Sequence, residues 1–268
     1  MTGTVTTFTV DDTSIYWSDS VSVLKASLDG SNPVTLATIG AGQMAIDSHS
    51  VYWTTFETTN VLSMPLAGGA PFTIWSDDSQ GFNGTIAIDS ESIYWGTFNG
   101  LMKAPLDGGP AATILTNYGP TFIVADQRLL TSLDTSGLVS FGVDGGTPTT
   151  LVSVSAPTHL PRDLTAYANT VFWTGYSDQT DGTITGLPID GGTPTTLESG
   201  QELPNIIVTD GVSLYWNSQV GLLRAPIGGG TPVTLVAGSQ AAEAIELAVD
   251  SASVYWESGA SLMKVTPK

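Results

Sequence analysis

The 268-residue chain carries seven Lys and Arg against 25 Asp and Glu, a net charge of −18, with 41% hydrophobic and 12% charged residues. That balance excludes a nucleic-acid partner and docking on anionic lipid, both of which need a basic footprint, and it is too apolar for a disordered acidic tail. The absence of cysteine excludes disulfides, thiolate metal sites and a cysteine nucleophile.

The chain opens on Met1-Thr2-Gly3-Thr4, with neither the basic start nor the apolar run of a signal peptide, and no apolar stretch nears the length of a membrane span. The acidity, scarce Lys and Ser/Thr-rich surface point to an extracellular or cell-envelope setting. Residues 3–8 fit a first strand running into Asp11. They also resemble the later Gly-Thr-Pro-Thr-Thr-Leu strands, but a first sheet lacking its innermost strand would leave a hole, so the first assignment is preferred.

A large-aromatic-plus-Trp dipeptide then recurs: Tyr16-Trp17, Tyr52-Trp53, Tyr94-Trp95, Phe172-Trp173, Tyr215-Trp216 and Tyr255-Trp256. The Trp residues are separated by 36, 42, 78, 43 and 40 positions. The long interval spans two periods, and 124–131 supply a degenerate copy without its Trp. Seven copies at about 40 residues match the spacing of propeller blades.

Each copy has one internal order. An apolar run ends in Asp, a short turn follows, and the aromatic strand comes next. A third strand such as 100–106 closes through Asp-Gly or Gly-Gly onto a fourth, as in 147–151. Those dipeptides supply the positive φ of tight hairpins. Side chains alternate faces along a strand, so an apolar triplet such as Ile93-Tyr94-Trp95 needs cover on both faces, which stacked blades provide. The prediction is one all-β domain over residues 1–268. It is a seven-bladed β-propeller of four-stranded antiparallel blades, almost free of helix, with the last blade incomplete. A six-bladed ring is the alternative.

Tyr16-Trp17-Ser18-Asp19 resembles the signature of the YWTD propellers, the class B repeats of the low-density-lipoprotein receptor family. The likeness extends to the apolar-Asp strand before the dipeptide and the Asp-Gly turn after it. Only the first copy keeps the final Asp, the family usually has six blades, and the receptors' Cys-rich flanking modules are absent. The resemblance implies an interaction platform, often in a calcium-rich extracellular setting, with ligands on one face.

Two residue sets carry candidate chemistry. Asp11, Asp47, Asp89, Asp126, Asp210 and Asp250 occupy equivalent places after the innermost strand, with Tyr167 in the seventh. Converging carboxylates would suit Ca²⁺, whereas Asp-Ser-x-Ser is equally a self-bonding Asx turn. The Tyr-Trp dipeptides read as packing between blades. Long loops over 75–85, 152–163, 174–182 and 236–246, with shorter ones, place Phe56, Glu57, Asp77, Asp78, Phe82, Phe98, Tyr118, His159, Arg162, Tyr176 and Asp178 on one face as ligand-binding candidates; Asp181 lies in the same loops. An acidic rim with aromatics suits a protein or peptide, or a carbohydrate.

No Gly-x-Ser-x-Gly elbow, His-Glu-x-x-His pair or phosphate loop accompanies the two His residues. The expected function is a non-enzymatic binding module, monomeric and not membrane-inserted. A carboxylate- or metal-dependent hydrolase or lyase acting at the same face is the alternative.

Overall fold

A computed structural model describes residues 4–55, 58–77, 81–116, 121–133, 137–153, 159 and 161–268. The chain is an all-β, seven-bladed propeller in which six sheets have four antiparallel strands and the last has three. Among the described residues the helix is a single turn, Ser239–Ala242, and none is long and apolar enough to cross a membrane. Each sheet is a meander paired in sequence order. Blade one runs Thr7–Val10, Ser14–Ser18, Val23–Ser27 and Val34–Ala37, so the N-terminal segment is indeed a first strand, pairing Phe8 with Trp17.

The contacts group the chain into two compact units, Met1–Pro120 with Gly259–Ser261, and Thr121–Ser258 with Leu262–Lys268. The first holds blades one to three and the second blades four to seven, apart from the short turn 259–261.

Within each unit the aromatic dipeptide joins neighbouring blades. Tyr16 shares a core cluster with Trp53 of the next blade, and Tyr52 does so with Trp95. In the second unit Phe172 meets Trp216, and Tyr215 meets Trp256. Successive side chains on a strand point to opposite faces, so the first aromatic packs onto the following blade and the Trp onto the preceding one. Trp53, Trp95, Trp173 and Trp216 are wholly buried. These rings are the mortar of the fold.

Candidate functional site

The repeated Asp builds a local clamp. In five blades its Oδ1 accepts the backbone N–H groups two and three residues on, at 2.6–2.9 Å. Its Oδ2 accepts the hydroxyl of the Tyr five residues on, at 2.6–3.0 Å, for Asp11, Asp47, Asp89, Asp210 and Asp250. Burial opposes ionisation of Asp11, Asp47 and Asp250, but their donors outweigh it and hold these carboxyls below the usual range. Asp210, which also pairs with Lys268 at 2.7 Å, is brought down to about 2.

Blade four departs from this pattern. Asp126 and Gln127 both have positive φ, 48° and 58°, and form a two-residue hairpin turn between Phe122–Ala125 and Arg128–Leu133. Among the described residues no group of three or more His, Asp or Glu is placed to hold a metal ion. The six Asp named above as candidate metal ligands form five Asx turns clamped to Tyr and one tight turn. Melting should rise equally in Ca²⁺, Mg²⁺ and NaCl of matched ionic strength, as screening of −18 predicts. A saturable rise confined to Ca²⁺ would instead support a metal role for these groups.

A cation completes several clamps. Lys25 lies 5.0 Å over the Tyr16 ring, Lys103 5.5 Å over Tyr94, Lys264 5.1 Å over Tyr255 and Lys268 5.6 Å over Tyr215. In blades one and three the cause is register, since Tyr16 faces Lys25 and Tyr94 faces Lys103 on the neighbouring strand; Tyr215 likewise faces Arg224, but the cation over its ring is Lys268. This spacing of nine residues is visible in the sequence, but only the hairpin register gives it meaning. Arg128 lies 3.7 Å from Asp190 and Arg224 donates to Ser213 and to the Lys268 carbonyl oxygen, so these basic groups are also engaged internally.

In five of the six copies the residue after the Trp, variable in the sequence, has a common task; Gly96, after Trp95, is the exception. Ser18 Oγ accepts the Ala41 N–H at 2.8 Å, and Thr54 accepts that of Gln43 at 3.1 Å. Thr174 donates to the Asn205 carbonyl. Asn217 accepts from Ile206 and donates to the carbonyls of Ala242 and Ala244. Glu257 accepts from Ile245 and Glu246. Each of these five side chains satisfies whatever loop backbone arrives, which is why the letter changes among them while the polarity stays.

The loop-borne candidates gather in two places. Phe56, Glu57, Asp78 and Tyr118 lie outside the described residues. In the first unit Phe82 is not in a loop, as the sequence suggested, but opens the strand Phe82–Ile88, where pairing with Thr97 across a bulge extends the sheet. Its ring centroid is 6.2 Å from that of Trp75. Phe98 is 74% exposed and lies over Gly81, where a Cβ would come within 2.5 Å of its ring. The Asp77 N–H donates to Thr59.

Blade five brings four candidates together. Its strands Asp163–Tyr167, Thr170–Gly175 and Gly182–Pro188 carry the loops that precede Asp163 and follow Gly175. His159 Nε2 lies 3.0 Å from Asp181 Oδ2, and the His159 carbonyl accepts the Trp173 indole N–H at 3.0 Å. The Arg162 N–H donates to Thr174, and its guanidinium stacks 4.2 Å from the Tyr176 ring centroid. Asp181 accepts from the backbone of Ser177 and Asp178 and from the Ser177 hydroxyl, while Asp178 accepts from Thr180 and Asp181. These two interlocked Asx turns order the loop. The Ser177 hydroxyl, the Asp178 N–H and then His159 hold the Asp181 carboxyl far below the usual range.

Sequence reasoning missed Asp163. It heads the blade's innermost strand, its Oδ2 accepts the Ile207 N–H at 2.9 Å, and burial pushes its carboxyl up to about 6. A raised carboxyl keeps a proton in the folded state that the unfolded chain, with an Asp pKa of about 4, has released. The stability this group contributes is thus full below about pH 4 and lost as pH rises through about 6. Asp163→Asn keeps an acceptor for Ile207 and removes the charge. Urea midpoints should show it about 1–2 kcal/mol more stable at pH 7 and less dependent on pH between about 4 and 6. A loss of stability at pH 7 would contradict this account.

The sequence matches no family model and no curated protein. The fold is similar to solved structures. One is a nidogen/laminin complex, at 18% identity and TM-score 0.59, covering 83% of this chain and 93% of that one. Another is BamB from Moraxella catarrhalis, at 16% and 0.62, covering 99% and 86%. A third is oligogalacturonate lyase in complex with manganese, at 11% and 0.73, covering 96% and 87%. At these identities the likeness establishes the propeller fold and no activity.

Proposed function

We propose that this protein is a non-enzymatic binding module that engages a protein or peptide partner through the loop face of blade five. One observation carries the reading: two loops converge to order His159, Asp181, Arg162 and Tyr176, leaving an exposed guanidinium on an aromatic ring. Arg and Tyr combine directional hydrogen bonding with large, rigid contact area, which suits the centre of an interface. The repeated carboxylates and aromatic dipeptides are meanwhile committed to turns and to packing between blades, so the loops hold the side chains that differ from blade to blade.

The Tyr-Trp repeats and the Asp-to-Tyr clamps support reading the chain as a divergent relative of the YWTD propellers, in an extracellular or cell-envelope setting. The structural likeness to a nidogen/laminin complex and to BamB accords with an interaction role. The likeness to oligogalacturonate lyase keeps a lyase or hydrolase as the second reading.

Peptide and glycan arrays probed with the labelled protein test the proposal. A ligand whose affinity falls at least about tenfold in Arg162→Ala/Tyr176→Ala, with melting unchanged, supports it. Binding untouched by the double change places the ligand elsewhere. Turnover of oligogalacturonate, ester or lactone substrates, lost on changing an Asp or Glu of that face, would replace it with the enzyme reading.

A further inference from the structure

Blade five lacks the clamp found in five others, and the substitutions are coordinated. Tyr167 stands where the Asp belongs, Phe172 where the Tyr belongs, and Gly186 faces Phe172 in the register that pairs Tyr16 with Lys25. The result is a pocket of about 420 Å³ walled by Tyr167, Phe172, Gly186, Pro188, Leu197 and Ile227. It sits at the turn end of the blade's strands, away from the loops around His159 and Arg162, and does not depend on the function proposed for them.

Two glycines shape it. The Tyr167 ring lies over Gly211 of the next turn, where a Cβ would come within 2.4 Å of it. Gly211 also has φ of +83°, so only glycine serves there comfortably. Gly186 stands where blades one, three, six and seven carry a long basic side chain, and the Phe172 ring and Leu197 close in on it, so that a Cβ there would meet them at 3.2 and 3.4 Å.

The sister blades show what fits. In blade one, Lys25 crosses the Tyr16 ring and its Nζ donates to the Leu66 carbonyl of blade two at 3.1 Å. Leu66 follows Pro65, and its N–H donates to His49 in the next blade's turn. Ile227 follows Pro226, and its N–H donates to Val212 in the corresponding turn, so Ile227 holds the equivalent place in the wall of the blade-five pocket. The aromatic ring and the carbonyl position are retained; the cation, the phenol hydroxyl and the carboxylate are not.

We propose that this pocket receives a lysine side chain from a basic partner polypeptide, which supplies in trans the stacking that Lys25 supplies within blade one. The aliphatic stem would lie along the wall formed by Phe172 and Leu197 and the ammonium would reach past Tyr167 towards the Ile227 carbonyl. The net charge of −18 attracts such a partner, and the protein's own cations are engaged elsewhere.

The probe is Nα-acetyl-lysine methylamide, titrated into ¹⁵N-labelled protein to about 20 mM, with the norleucine analogue as the uncharged isostere. Saturable shifts centred on the Gly186, Leu187 and Ile227 amides are expected, with at least about threefold weaker binding of the norleucine compound. Gly186→Lys, which restores the residue type of the sister blades, should abolish them. Should that variant fold poorly, Tyr167→Ala, at a residue 52% exposed, should weaken binding without lowering the melting temperature. Equal binding of both probes would overturn the cation's part in the proposal. No saturable shift, or shifts spread over the acidic surface and unchanged in the variants, would overturn the site.

Discussion

Truncating Trp95 to alanine is expected to cost about 3–5 kcal/mol, the largest effect of any single change in the first unit. The ring is wholly buried between Tyr52 of the preceding blade and Ile93 and Met102 of its own, and lies 5.3 Å from the Trp75 centroid. Removing it empties a space that no neighbour can fill, because strands held by ladder hydrogen bonds cannot collapse inward. In a chain of this size the melting temperature should fall by roughly 8–15 °C. Trp95→Phe, which keeps most of the apolar volume, should cost less than half as much. The ratio matters more than either value. Equal losses for Ala and Phe would mean that lost apolar volume does not set the cost.

Asp210→Ala is expected to destabilise by about 2–4 kcal/mol at pH 7, although it removes few atoms. It strips the acceptor from the N–H groups of Val212 and Ser213 and from the buried Tyr215 hydroxyl, and takes away the ion-pair partner of Lys268. Those groups stay in place without a partner, and that is where the cost arises. The carboxyl titrates at about 2 in the folded state, below its unfolded value of about 4. Its stabilisation is therefore present above about pH 4 and is lost as pH falls through about 2, so wild type and variant should converge in acid. Asp210→Asn, which keeps one acceptor oxygen, should fall between the two. Chemical denaturation from pH 2 to 8 measures the trend, and a gap that persists undiminished at pH 2 would show that the carboxylate's charge is not what stabilises the turn.

These groups pull against Asp163, whose raised carboxyl favours the folded state in acid. Burial also raises the carboxyls of Glu198 and Glu257, whose donors only partly offset it. Together with the repulsion within a chain of net charge −18, the two opposing sets place the stability maximum in mildly acidic solution rather than at neutrality.

Most of the scaffold was legible before the fold was known. The Tyr-Trp period marks the blades because the same strand must be apolar on both faces in every copy, and local pattern reports that burial directly. The Asp turns were legible for a similar reason: their hydrogen bonds join residues two, three and five apart, so sequence spacing is their geometry. The stacking of Lys25 on Tyr16 was present as a nine-residue interval, but it takes the hairpin register to show that the interval means facing side chains.

What only the tertiary structure decided are the relations between separate loops and separate blades. Nothing in the spacing of His159, Arg162, Tyr176 and Asp181 selects them from a dozen other polar loop residues; the Trp173 indole on the His159 carbonyl and the Asx turns around Asp181 do so. Phe82 was assigned to a loop because bulged pairing with Thr97 leaves no mark in alternation. Asp163 stood unremarked because its shifted carboxyl arises from burial and from Ile207, 44 positions later. The blade-five pocket consists of what three positions lack relative to their sisters, and its walls come from residues as far apart as Tyr167 and Ile227. Periodic sequence determines the repeated unit because its interactions are local. Departures from the repeat acquire meaning only where the fold brings them side by side.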